Sequence, residues 1–209
     1  MDIYLIKTND ITFSQLTPYL DCVTIIRRAV IERRADDAAK INSLVSELIV
    51  LSEISRRTGI EQDRIRFRKG PHGKPYIKNK DGAWLEFSLS HPNGAVIAAF
   101  SEDGEIGIDI ERADRRISDA LYSRVLCDEE RFHATSGADF LRAWVQKEAF
   151  LKRLGVGITR DLRGVNSLEI PDTVAENFCG FIVGISGKGA ADAQMIDLPL
   201  EELLRKYKV

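Results

Sequence analysis

The hexapeptide Ile106-Gly107-Ile108-Asp109-Ile110-Glu111 alternates isoleucine with glycine and acids, and this period of two reads as a strand with one buried face. Residues i and i+2 of a strand project to the same side, so Asp109 and Glu111 face one way and the isoleucines the other. Neighbouring carboxylates repel each other. They are either solvated at an open sheet edge or neutralised by a cation, and hard oxygen donors suit Mg2+ or Mn2+.

A second segment, Trp144-Val145-Gln146-Lys147-Glu148-Ala149-Phe150-Leu151-Lys152, belongs to a helix expected over Ala138 to Leu154, with Gly155 and Gly157 as stop signals. Phe140, Trp144, Leu151 and Leu154 recur at helical spacing as a buried stripe that Lys147 interrupts. Glu148 and Lys152 are four residues apart and share a face. On their own they are a surface ion pair contributing about 0.3–0.5 kcal/mol. If the helix packs beside the acidic strand, Glu148 completes a metal site and Lys152 meets the anion that the metal holds.

With 209 residues, 44% of them hydrophobic, the chain can bury one large core or two small ones. A net charge of −2 argues against bulk nucleic-acid binding, which needs a basic surplus. No apolar run approaches the roughly 20 residues needed to cross a bilayer, and the N-terminus has no signal-peptide pattern, so the expected location is the cytoplasm, away from membranes. Cys22, Cys127 and Cys179 are odd in number and lack Cys-x-x-Cys spacing, which suggests neither a disulfide framework nor a zinc site.

A long helix is expected from about Asp36 to Arg57, ended by Gly59. Short strands follow near Arg64–Arg68, Pro75–Lys78, Trp84–Leu89 and Ala95–Phe100. Beyond Glu102 to Gly104 come the acidic strand, a short helix over Ser118–Leu126, a second that Asp128 caps, and the Trp144 helix. Further strands fit Asn166–Ile170, Phe178–Ile185 and Ala193–Asp197. The expected class is α+β, with an N-terminal half of residues 1–102 and a C-terminal half of residues 103–209, each a small antiparallel sheet with packed helices.

Two more segments bear on function. Gly73-Lys74-Pro75 sets a lysine between a flexible and a rigid residue at a turn, where it is either simply exposed or held near a phosphate. Phe87-Ser88-Leu89-Ser90-His91 ends a strand with a hydroxyl and an imidazole side by side, both able to donate to an anion.

In order and spacing, Gly-Lys-Pro, Phe-x-x-Ser-His, Gly-Ile-Asp-Ile-Glu and Trp-x-x-Lys-Glu-Ala-x-x-Lys resemble the Sfp-type 4′-phosphopantetheinyl transferases. The match extends from Gly73 to Lys152, and one departure is visible: the family follows Ser-His with a small polar residue, whereas this chain has Pro92. The resemblance implies a pseudo-dimer of two similar halves with coenzyme A in the cleft between them. It also implies transfer of the phosphopantetheine arm to a carrier-protein serine, releasing adenosine 3′,5′-bisphosphate. By that analogy Asp109, Glu111 and Glu148 hold Mg2+, and Glu148 takes the serine proton, directly or through water. Lys152 and His91 sit on phosphate oxygens, and Lys74 and Ser90 contact coenzyme A.

For the 3′-phosphate, the basic pairs Arg27-Arg28 and Arg33-Arg34, with Lys40 and Ser43, are candidates, narrowed to Ser43 and Arg34. The carrier is expected to dock on Arg112 to Leu126, where Arg112, Arg115, Arg116 and Arg124 accompany Leu121 and Val125. A chain containing its own cleft needs no partner subunit, so a monomer is expected. Two rival readings are a non-catalytic coenzyme A-binding module and a metal-dependent phosphodiesterase. The module need not retain three acids, and the phosphodiesterase wants a basic groove that the composition does not supply.

Overall fold

The structure, a computed structural model, describes residues 1–157 and 161–207. In chain order its elements are β1 (Asp2–Lys7), α1 (Phe13–Leu16), α2 (Ile25–Glu32), α3 (Asp37–Thr58), β2 (Phe67–Lys69), β3 (Pro75–Ile77), β4 (Glu86–Ser90) and β5 (Ala95–Ser101). There follow β6 (Gly107–Arg112), α4 (Asp119–Val125), α5 (Asp128–His133), α6 (Gly137–Leu154), β7 (Thr173–Phe178), β8 (Phe181–Ser186), β9 (Gln194–Asp197) and α7 (Leu200–Leu204). This is an α+β fold of small sheets and packed helices.

The long helices begin and end where their capping chemistry dictates. Asp36 caps α3 by accepting from the Ala39 amide at 2.7 Å, and Gly59 ends it at φ +74°. Ser136 caps α6 in a reciprocal box with Asp139, and Gly155 ends it at φ +64°.

One large sheet has the order β4-β5-β1-β9 and the other β6-β8-β7, while β2 and β3 pair apart from both as a two-stranded sheet. Strands β1 and β5 are covered on both sides. Tyr4, Ile6, Val96, Ala98 and Phe100 pack with Leu44, Leu48 and Leu51 of α3. Their alternates Ile3, Leu5, Ala95, Ile97 and Ala99 meet Ile106, Ile108, Ile110, Val183 and Ile185 of the other sheet. The stack therefore runs helix α3, sheet, sheet, helix α6. It buries the isoleucine face of β6 between the sheets and turns the acidic face toward α6.

Two glycines let α6 come close. A Cβ on Gly107 would overlap the Ala149 carbonyl, and one on Gly184, which pairs with Asp109, would overlap the Val145 carbonyl. Gly184→Ala should therefore lift the helix and lower stability by about 1–3 kcal/mol. A urea midpoint equal to that of the parent protein would disprove this close approach.

Several expected elements are corrected. Residues 166–170 form turns, not a strand. The strand expected over Phe178–Ile185 begins only at Phe181, as β8; Phe178 ends β7, and the hairpin between them folds at Cys179 (φ +50°) and Gly180 (φ +86°). Cys127, not Asp128, is the N-cap of α5. Leu154 is 42% exposed, so it leaves the expected stripe of α6, where Leu141, Val145 and Ala149 are buried.

The division at residue 102 does not describe the last segment. β9 pairs parallel with β1, and Leu203 and Tyr207 join the core around α3.

Candidate active site

Strand alternation places Gly107, Asp109 and Glu111 beneath α6, and α6 brings Glu148 and Lys152 to them. Asp109 is 7% and Glu148 4% exposed. Asp109 Oδ1 accepts from Lys152 Nζ at 2.7 Å and from Ser90 Oγ at 2.8 Å, the latter from the end of β4. Four of the expected site residues, Ser90, Asp109, Glu148 and Lys152, thus meet where the sheets adjoin.

Burial, followed by the charges of Asp109 and Glu111, pushes the Glu148 carboxyl from its ordinary 4.5 up to about 7, with Lys152 opposing. Burial also raises the Glu111 carboxyl, against the pull of Arg115, which pairs with it. The Arg115 guanidinium in turn lies 4.9 Å from the centre of the Trp144 ring.

Two cavities flank this cluster. One, of about 580 Å3, is walled by Ser90, His91, Asp109, Glu111 and Arg115. The other, of about 550 Å3, is walled by Leu121, Arg124, Trp144 and Leu162 and reaches Glu148.

His91 keeps an open edge, yet the protein crowded about its ring, and then the charges of Lys152, Arg34 and Arg27, hold its pKa below the usual imidazole value. A neutral imidazole among cations is placed to donate to an anion. Ser43 is buried, and its hydroxyl accepts from Arg27 Nη2 at 3.2 Å. Arg27 also pairs with Glu47 at 2.9 Å. The narrowed pair Ser43 and Arg34 therefore omitted Arg27. The inward face of α2 would have selected it, had that helix been read from the sequence.

Lys74 sits elsewhere than at the acids. Its ammonium donates to the carbonyls of Ile106 at 3.1 Å and Arg153 at 3.0 Å, closing the C-terminal end of α6, and burial lowers its pKa.

Lys147 is wholly buried and turned away from the anion side. Its Nζ donates to Glu130 Oε2 at 2.5 Å and to the carbonyls of Val125 at 2.6 Å and Leu162 at 3.0 Å. Burial would raise the Glu130 carboxyl, but hydrogen bonds from Lys147 and from the Ser167 and Cys127 amides hold it below the usual range.

The expected docking segment is partly corrected too. Val125 is 1% exposed and, with Leu121, packs on Phe140 and Leu141, so the apolar seam of α4 faces the protein interior. Arg116 and Arg124 remain exposed.

Among the described residues no three acids, histidines or cysteines stand as a ready-made metal cage. Lys152 holds Asp109, and Arg115 holds Glu111. The donor chemistry nevertheless fits a divalent cation: three carboxylates crowd together, and one has its ionisation suppressed by burial and then by the charges of the other two.

Two family models divide the chain between them. "4′-phosphopantetheinyl transferase, N-terminal" matches residues 11–103, and "4′-phosphopantetheinyl transferase superfamily" matches residues 105–203. The chain belongs to the 4′-phosphopantetheinyl transferase superfamily. The boundary between the two matches falls at the turn that joins β5 to β6.

Family members include 4′-phosphopantetheinyl transferase Sfp of Bacillus subtilis, 32% identical over 148 residues that make up 63% of each chain. The L-aminoadipate-semialdehyde dehydrogenase-phosphopantetheinyl transferase of Candida glabrata is 30% identical over 151 residues, 66% of this chain and 56% of its own. The chain thus spans less than two thirds of the length of these two relatives. Among the described residues no helix is long and apolar enough to cross a membrane.

Proposed function

We propose that this protein transfers the 4′-phosphopantetheine arm of coenzyme A to a serine of an apo carrier protein. The serine oxygen bonds to the phosphorus that bears the pantetheine, the pyrophosphate bridge breaks, and adenosine 3′,5′-bisphosphate leaves. The observation that carries this reading is Glu148, a buried carboxyl held near 7 between Asp109 and Glu111 and reached by a cavity.

Asp109, Glu111 and Glu148 are the residues that would hold Mg2+, or Mn2+ in its place. When bound, the ion neutralises the pyrophosphate and the charge that grows on the leaving group. Glu148 is also the group that would take the serine proton, directly or through water, its carboxylate being ionised once the cation is bound. Lys152 follows the departing phosphate once it is released from Asp109, and His91 donates to a phosphate oxygen. Arg27, Arg34 and the buried turn of α3 at Ser43 form a basic region suited to the 3′-phosphate. Lys74 acts by fixing the turn beside the end of α6.

Carrier docking is assigned to Arg116 and Arg124, because Arg115 is committed to Glu111. Arg116→Glu combined with Arg124→Glu should raise the carrier KM about tenfold or more while coenzyme A affinity stays level. Equal loss of both would remove the docking assignment.

The deciding experiment is mass spectrometry of apo acyl and peptidyl carrier proteins incubated with the protein, coenzyme A and Mg2+. A phosphopantetheine adduct on serine is expected. Coenzyme A binding without any adduct would indicate a binding module instead, and cleavage of a plain phosphodiester would indicate a phosphodiesterase.

A further inference from the structure

The loop after Ser90 and His91 runs Pro92-Asn93-Gly94, and Pro92 brings no N–H to it. Its carbonyl is used instead. Asn42 Nδ2 donates to the Pro92 oxygen at 2.9 Å, and Thr8 Oγ1 donates to Asn42 Oδ1 at 2.9 Å. A carbonyl only accepts, so the Asn42 amide must face it with its nitrogen, which leaves the amide oxygen for the threonine. Asn42 is 4% and Thr8 6% exposed, so water does not compete freely for these bonds.

The backbone closes the same unit. The Thr8 amide donates to the Gly94 carbonyl at 2.9 Å, and Gly94 adopts φ +84° with the Asn9 side chain lying where a Cβ would be. Asn42 directly precedes Ser43, whose hydroxyl and carbonyl receive Arg27. One buried turn of α3 therefore fixes both the His91 loop and the Arg27 guanidinium.

We propose that Asn42 is a positioning residue for coenzyme A: through the Pro92 carbonyl it holds His91 toward the phosphate-bearing end of the substrate, and Thr8 orients it. This rests on the function proposed above. Asn42 touches no substrate, and its effect passes through the loop.

The test compares coenzyme A binding, by titration calorimetry, and transfer kinetics for the parent protein, Asn42→Ala, Thr8→Val, His91→Ala and the pair Asn42→Ala with His91→Ala. Asn42→Ala should weaken coenzyme A about tenfold, as expected for losing the hydrogen bond that holds the loop, with the carrier KM unchanged. In the His91→Ala background the same substitution should add nothing, whereas a merely structural role would give additive losses. If Asn42→Ala does not fold, Thr8→Val, which keeps the shape and removes only the hydroxyl, should show a smaller loss that again vanishes beside His91→Ala.

Additive losses, or unchanged coenzyme A affinity in Asn42→Ala, would overturn the positioning role alone. Parent protein that binds no coenzyme A would overturn the functional reading, and this inference with it.

Discussion

Glu148→Gln is expected to silence transfer and, at the same time, to make the metal-free protein more stable at pH 8. The folded-state pKa of Glu148 is about 7, raised from an ordinary 4.5 by burial, Asp109 and Glu111. Between those values the folded protein keeps a proton that the unfolded chain releases. Stability from this group is therefore fully present below about 4.5 and is lost as the pH rises through 7. Above 7 the ionised carboxylate costs about 3 kcal/mol, which a neutral glutamine of the same shape removes. Denaturant titrations at pH 8 and pH 4.5 should show a gain of that order at the first and little at the second. The adduct rate, followed by mass spectrometry, should fall on the order of 10²–10⁴-fold. A stability change that is the same at both pH values would contradict the assignment of Glu148 as the crowded acid.

Lys147→Met should have the largest effect on folding of any single change considered. All three ammonium donors of Lys147 are used inside the protein, on Glu130 and on two carbonyls from different segments. Removing the lysine leaves the Glu130 carboxylate, 2% exposed, without its counter-charge and takes a donor from the Val125 and Leu162 carbonyls, of which Leu162 keeps the Val165 amide. The cost is about 3–5 kcal/mol, a large share of the 5–15 kcal/mol that holds a typical domain together. Adding Glu130→Leu should restore part of the loss, because the unpaired buried charge then disappears. If the double variant is no more stable than Lys147→Met, the pair is not the reason for the lysine's burial.

The long helices were legible because their ends carry their own signals: Asp36 and Gly59 for α3, Gly155 for α6. The acidic strand was legible because its alternation survives in the fold, isoleucines between the sheets and carboxylates beneath α6. β1 was not legible. Ile3 to Ile6 are buried from both sides, so no polar alternates mark the strand, and its partners lie more than 85 residues away. Residues 166–170 misled for another reason: Leu168 is exposed, and the segment is a turn whose Ser167 amide caps Glu130.

At the site, spacing brought out Asp109, Glu111, Glu148 and Lys152 as a group. Spacing could not show which cation each acid keeps in the absence of metal, since that depends on Arg115 reaching back four residues and Lys152 reaching across from α6. Lys147 and Lys152 look equivalent in the sequence, yet one holds the helix to α5 and the other holds Asp109.

Strand β9 has a bearing on how the protein is made. β1 lies between β5 and β9, so it waits for residues 194–197 before both its edges are paired. Until then a ribosome-bound chain presents an unpaired, apolar edge on β1, because the β1–β9 contact is far apart in sequence. Yield in a cell should therefore depend on holding that nascent edge apart from other chains, more than on the stability of either half once it has closed.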